Sequence, residues 1–99
     1  CVSLEIIENS VLEINKLNIP FGFKANLWSK EEPLPVHNFN TAKHDEIGVN
    51  PNIVLGSRQD ITGEIFCDFS KKIVDQGATI LGGCCETNPK HIREISKLK

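Results

Sequence analysis

An apolar run, Ala78-Thr79-Ile80-Leu81, passes through Gly82-Gly83 into two adjacent cysteines, Cys84-Cys85, and a capped helix start follows at Asn88-Pro89. No other stretch constrains the chain as much. On an ordinary strand, adjacent side chains point to opposite faces, so neighbouring cysteines could not grip one ion together. Glycine lifts that restriction. At Gly82-Gly83 the backbone can leave strand geometry and turn both sulfurs toward a common point at the strand's C-terminal tip. Parallel α/β folds keep their chemistry there. The residues therefore suggest Cys84 and Cys85 as two thiolate ligands of a catalytic zinc. An ordinary buried pair and a strained vicinal disulfide are the alternatives.

Upstream, Leu4, Ile7, Val11 and Ile14 recur at three- and four-residue steps, with Glu5, Glu8, Glu13 and Lys16 between them. This spacing predicts an amphipathic helix over Ser3 to Leu17, capped by Ser3 and ended by Asn18 and Pro20. Cys1 then precedes a helix N-terminus, where a thiolate is stabilised. Phe21 to Leu27 reads as a strand, with Lys24 and Asn26 expected on one face; Asn26 is either directed at the site or a loop-facing amide. From Trp28 to Gln59 no period of either kind persists, and prolines, glycines and asparagines punctuate the segment. It reads as a long βα-loop on the active face, with local structure around Ile53-Val54-Leu55. Trp28 packs the loop base or walls a pocket, and Arg58 makes an ion pair or an anion contact.

Asp60 or Thr62 opens the next helix, which runs to about Gln76 with Ile61, Ile65, Phe66, Phe69, Ile73 and Val74 inward and Gly77 just past its end. Cys67 lies off that stripe and reads as a structural or exposed thiol. Thr79 to Gly82 is expected to be a fully buried strand, as in a parallel sheet. Thr87 or Asn88 caps a last helix with Pro89 in its first turn and Ile92, Ile95 and Leu98 inward. The order helix, strand, loop, helix, strand, helix is the tail of a repeating α/β pattern, so the two strands run parallel. Both tips, the long loop and the cysteine pair then share one face.

Length and charge narrow the function. The 99 residues suffice for one domain, and the net charge of -2 offers no basic field for nucleic acid or an anionic membrane. No apolar run is long enough to span a bilayer, and there is no signal-peptide layout, so a cytoplasmic location is expected. The chain begins at Cys1 and has no Met. With only two strands recognisable, it is expected to be part of something longer. Its four cysteines do not form the paired C-x-x-C layout of a zinc ribbon or a thioredoxin-type redox site. His37 and His44 fall in the loop and His91 is expected to face out, so none is expected as a metal ligand.

Gly82-Gly83-Cys84-Cys85, preceded by Ala78-Thr79-Ile80-Leu81 and followed by Pro89-Lys90-His91-Ile92-Arg93, resembles the signature of the homocysteine S-methyltransferases, above all their betaine-dependent branch. The resemblance implies a (β/α)8 TIM barrel that holds Zn2+ with three cysteines, one at the sixth strand's tip and a vicinal pair ending the eighth. Cys84 and Cys85 match the pair, and Cys1, 83 positions before Cys84, matches the first. Residues 1–99 would then be the C-terminal part of a homocysteine-binding barrel domain, with no second domain, carrying strands 7 and 8 and their flanking helices. They amount to about 40% of a barrel of roughly 250 residues. The missing N-terminal part would supply the other strands, and the chain alone would be incomplete and inactive.

The implied reaction is zinc-dependent methyl transfer from a small cationic donor, betaine favoured, to the zinc-bound thiolate of homocysteine, giving methionine. No catalytic residue is needed beyond the metal ligands. S-methylmethionine and methylfolate stay open as donors, and so does homo-oligomer formation. A non-catalytic zinc- or redox-sensing module on the same cysteines is the reading from another class. One position departs from the pattern: Glu86 stands where many members have Gly.

Overall fold

The computed structural model describes residues 2–29 and 55–99. Helix α1, Leu4–Ile14, is capped by Ser3, whose hydroxyl accepts from the Ile6 amide at 3.4 Å. Its buried face is Leu4, Ile7 and Val11, the stripe the spacing predicts. A 3-10 turn at Asn15–Leu17 carries the helix on, and Asn18 stops it in the left-handed conformation, φ 51°.

Strand β1 covers Phe21–Ala25, two residues shorter than expected. The reason lies in Asn26, whose Oδ1 accepts from the Trp28 amide at 3.1 Å and folds the chain out of the strand. Asn26 is buried, whereas Lys24 is exposed, so the two do not share the face expected of them.

Helix α2, Gly63–Asp75, starts at Thr62, whose hydroxyl accepts from the Ile65 amide at 3.3 Å. Gly77 follows its end with φ 107° and donates to the Val74 carbonyl at 2.8 Å, as a helix-ending glycine does. Phe66, Phe69 and Ile73 form the inner face, and Ser70 joins them by bonding its hydroxyl to the Phe66 carbonyl. Ile65, expected inside, is exposed. Strand β2, Ala78–Gly83, runs parallel to β1, and helix α3, Pro89–Ile95, follows with Asn88 as its cap.

The register pairs Phe21 with Ala78, then Gly22 with Ile80, Phe23 with Leu81, Lys24 with Gly82 and Ala25 with Gly83. Thr79 is skipped, a bulge that puts both Ala78 and Leu81 toward the helices. Phe23, Ala25, Ala78 and Leu81 meet α1, α2 and α3 in one core, and the Phe23 and Phe69 rings pack edge to face at 5.6 Å. The result is a small α/β structure with a two-stranded parallel sheet, compatible with a fragment of a barrel.

The expectation of a fully buried β2 is corrected. Ile80 is 68% exposed, and Thr79 is exposed beside it. Among the described residues the helices cover one face of the sheet, and Ile80 lies on the other, opposite Gly22. A Cβ on Gly22 would come within 2.4 Å of the Ile80 Cβ, so only glycine fits across from that side chain.

The two ends of the loop are tied together. Trp28 pairs with Ser57, the Ser29 hydroxyl donates to the Leu55 carbonyl at 2.8 Å, and the Arg58 amide donates to the Leu27 carbonyl at 2.8 Å. The expectations for His37, His44, Ile53 and Val54 lie outside the described residues.

Candidate metal centre

The tip of β2 is stitched to the tip of β1 on both sides of the cysteine pair. The Cys84 amide donates to the Ala25 carbonyl at 2.8 Å, and the Leu27 amide donates to the Cys85 carbonyl at 2.9 Å. Cys84 to Thr87 then form a tight turn, closed by the Thr87 amide donating to the Cys84 carbonyl at 3.2 Å. Glu86, the third residue of that turn, has φ 63°. A closing bond with positive φ at this position alone is the pattern of a type II turn, which favours Gly there.

This turn brings the Cys84 and Cys85 sulfurs to 3.9 Å from one another. That is almost twice an S–S bond length, so the pair is not a vicinal disulfide. Both residues are half-buried. Burial, then the hydrogen bond and charge of Cys84 beside it, push the Cys85 thiol above its ordinary value. Two thiolates side by side therefore need a cation, and two sulfurs each about 2.3 Å from a tetrahedral zinc lie about 3.8 Å apart. The donor set and its separation fit that ion.

The turning device differs from the one expected. Gly82 and Gly83 both stay within β2, and neither has a positive φ. What Gly83 supplies is room: a Cβ there would lie 2.2 Å from Thr87 Oγ1 and 2.6 Å from Thr87 Cβ. Thr87, read from sequence only as a possible helix cap, instead donates its hydroxyl to the Cys84 carbonyl at 2.6 Å. The signal for it was the double glycine, which marks a close approach as readily as a turn.

Cys1 lies outside the described residues. Its chain neighbour Val2 bridges Ala25 in parallel register, and the Val2 carbonyl accepts from the Asn26 amide at 2.9 Å. Since Ala25 pairs with Gly83, Val2, Ala25 and Gly83 form one row across the sheet, with Cys84 next along the chain. Among the described residues no group of three or more His, Cys, Asp or Glu side chains could hold a metal ion.

The side chains of the other singled-out residues have partners of their own. His91 is buried, not outward-facing. Its Nδ1 accepts from the Asn88 amide at 3.0 Å, and its Nε2 lies 2.9 Å from the Ile61 carbonyl, so the proton sits on Nε2. Its ring also packs edge to face on Phe66 at 5.6 Å, in place of Ile92, which is 43% exposed. Cys67 is half-buried, and its thiol points to the Glu94 carbonyl at 3.4 Å, a packing role between α2 and α3. Arg58 is an ion-pairing residue, 2.6 Å from Glu5 and 2.9 Å from Asp60. With Trp28, Ser3 and Ser29 it lines a cleft of about 490 Å³. No described helix is long and apolar enough to cross a membrane.

The model of the family described as homocysteine S-methyltransferase matches residues 1–98. Homocysteine S-methyltransferase 1 of Saccharomyces cerevisiae is 65% identical over 26 residues, which are 26% of this chain and 8% of that protein. The selenocysteine methyltransferase of Astragalus bisulcatus is 40% identical over 43 residues, 43% of this chain and 13% of that protein. The chain thus covers only a small share of these relatives' own lengths, and no solved structure matches it. With a match running through all but its last residue, the chain belongs to the homocysteine S-methyltransferase family.

Proposed function

We propose that this chain is the zinc-binding C-terminal part of a (β/α)8 barrel that transfers a methyl group to homocysteine, with β1 and β2 as strands seven and eight. The observation that carries the reading is the 3.9 Å separation of the Cys84 and Cys85 sulfurs at the tip of a parallel strand. Cys84 and Cys85 are two of the zinc ligands, and Cys1 is the third. Support for Cys1 comes from Val2, which a single peptide bond joins to it and which stands in the row of Ala25 and Gly83. Zinc held by Cys84, Cys85 and Cys1 would supply the acidity that turns a thiol such as homocysteine's into an electron-rich thiolate at neutral pH.

The chain's own part is to hold its sulfurs in place. The Ala25 carbonyl and Leu27 amide pin the two sides of the cysteine pair, so the sulfurs need not be ordered at the moment of binding. In the reaction the homocysteine thiol gives its proton to solvent and its sulfur bonds the methyl carbon. The bond from that carbon to the donor breaks, with the electron pair leaving on the donor. A cationic donor loses that charge as it departs, which favours betaine and S-methylmethionine over methylfolate; betaine is preferred between them on the sequence resemblance, since the names of the two relatives specify acceptors and not donors. Thiolate ligands suit a reducing compartment, so the cytoplasm is the proposed location.

Zinc analysis of the intact protein, with methionine formation measured from betaine, S-methylmethionine and methylfolate in turn, tests this. Cys84→Ala and Cys85→Ala are each expected to remove most of the zinc and to lower methyl transfer at least a hundredfold. Zinc retained in full by both variants would sink the site. Methionine formed from another donor but not from betaine would sink the donor alone. A full zinc site with no transfer from any of the three would favour the sensing module.

A further inference from the structure

Two hydrogen bonds from one residue converge on the Cys84 carbonyl, the Thr87 amide at 3.2 Å and the Thr87 hydroxyl at 2.6 Å. That carbonyl belongs to the peptide joining Cys84 to Cys85, and the tilt of this peptide sets the angle between the two side chains. The Cys84–Ala25 and Leu27–Cys85 bonds hold the two ends of the pair, whereas both Thr87 bonds act on its central peptide plane. The Thr87 side chain reaches its acceptor by lying where a Gly83 side chain would be, with Cγ2 only 2.8 Å from the absent Cβ position. Gly83 and Thr87 are thus two halves of one contact.

We propose that Thr87 is a positioning residue for the metal-binding pair, whose hydroxyl locks the Cys84–Cys85 peptide so that both sulfurs face one point before any ion arrives. This rests on the zinc reading above. Residues that orient ligands without touching the metal are typically worth about 10–100-fold in metal affinity. Thr87→Val keeps the shape and removes the hydroxyl; Thr87→Ser keeps the hydroxyl.

Cobalt(II) titration of the metal-free intact protein reads the effect without relying on activity, through the thiolate-to-cobalt charge-transfer band and the ligand-field bands. Thr87→Val is expected to bind at least tenfold more weakly and with shifted ligand-field bands at saturation, while Thr87→Ser stays within about threefold of the parent. Loss of fold stability alone would not move the bands of the saturated protein. Parent affinity and spectrum in Thr87→Val, or equal losses in Thr87→Val and Thr87→Ser, would overturn the proposal while leaving the zinc reading intact. Absence of a thiolate charge-transfer band in the parent, or its survival in both Cys84→Ala and Cys85→Ala, would overturn the zinc reading and this proposal with it. Should Thr87→Val fail to fold, Thr87→Ala offers the same comparison, because it relieves contact with Gly83 and keeps the amide bond to Cys84.

Discussion

Glu86 occupies the corner of the cysteine turn at φ 63°, a conformation that costs an L-residue roughly 1–2 kcal/mol and glycine far less. Replacing it by glycine relieves that strain, less the roughly 0.4–1 kcal/mol that the freer unfolded chain takes back. Glu86→Gly is therefore expected to stabilise the metal-free protein by about 0.5–1 kcal/mol, read as a higher urea midpoint; a lower midpoint would contradict the turn assignment. The cysteines, the paired glycines and the departure at Glu86 were all legible in the sequence. Which residue made the turn was not, because a glycine signals either positive φ or a close neighbour. Here Gly83 has the neighbour, Thr87, and Glu86 has the positive φ.

Between elements, a buried imidazole does what the hydrophobic spacing assigned to Ile92. His91 bonds the start of its own helix through Asn88 and reaches the segment before α2 through Ile61. His91→Ala leaves that carbonyl and that amide without their partner and opens a cavity against Phe66, an expected loss of about 2–4 kcal/mol in the free energy of unfolding. A loss below about 1 kcal/mol would show that α2 and α3 do not depend on it. Periodicity missed this residue because it scores a polar side chain as outward, whatever its two nitrogens can find inside.

Arg58 ties α1 to the approach of α2 in a different way. Burial raises the Glu5 carboxyl, but the hydrogen bonds from Arg58, from its own amide and from Ser3, with the Arg58 charge, together bring it below its ordinary value, and the Arg58 guanidinium also lowers Asp60. Groups depressed in the fold stabilise it above their unfolded pKa, about 4 to 4.5, and that stability is lost as the pH falls through their folded values. Arg58→Met is expected to flatten the fall in stability from pH 4.5 to 3, measured by urea unfolding at each pH. An unchanged slope would mean that the Glu5 and Asp60 pairs contribute nothing.

For the whole molecule, the order of helices and strands and the parallel pairing could be read from the apolar spacing and the short chain breaks. Coverage of the sheet could not, because a continuous apolar run says that a strand can be buried on both faces and not what buries it. Ile80 shows the difference: it belongs to such a run yet is 68% exposed opposite Gly22. In a (β/α)8 barrel the face without helices is the packed interior, filled by side chains from the other strands. The proposal that this chain is part of one therefore has a thermodynamic consequence. In the intact protein, Ile80→Ala is expected to lower the free energy of unfolding by about 2–5 kcal/mol, the cost of emptying a closed core. A side chain as exposed as Ile80 is among the described residues would lose no more than about 0.5 kcal/mol. Urea unfolding of the two proteins separates these values, and the small one would mean that no further strands pack on this face.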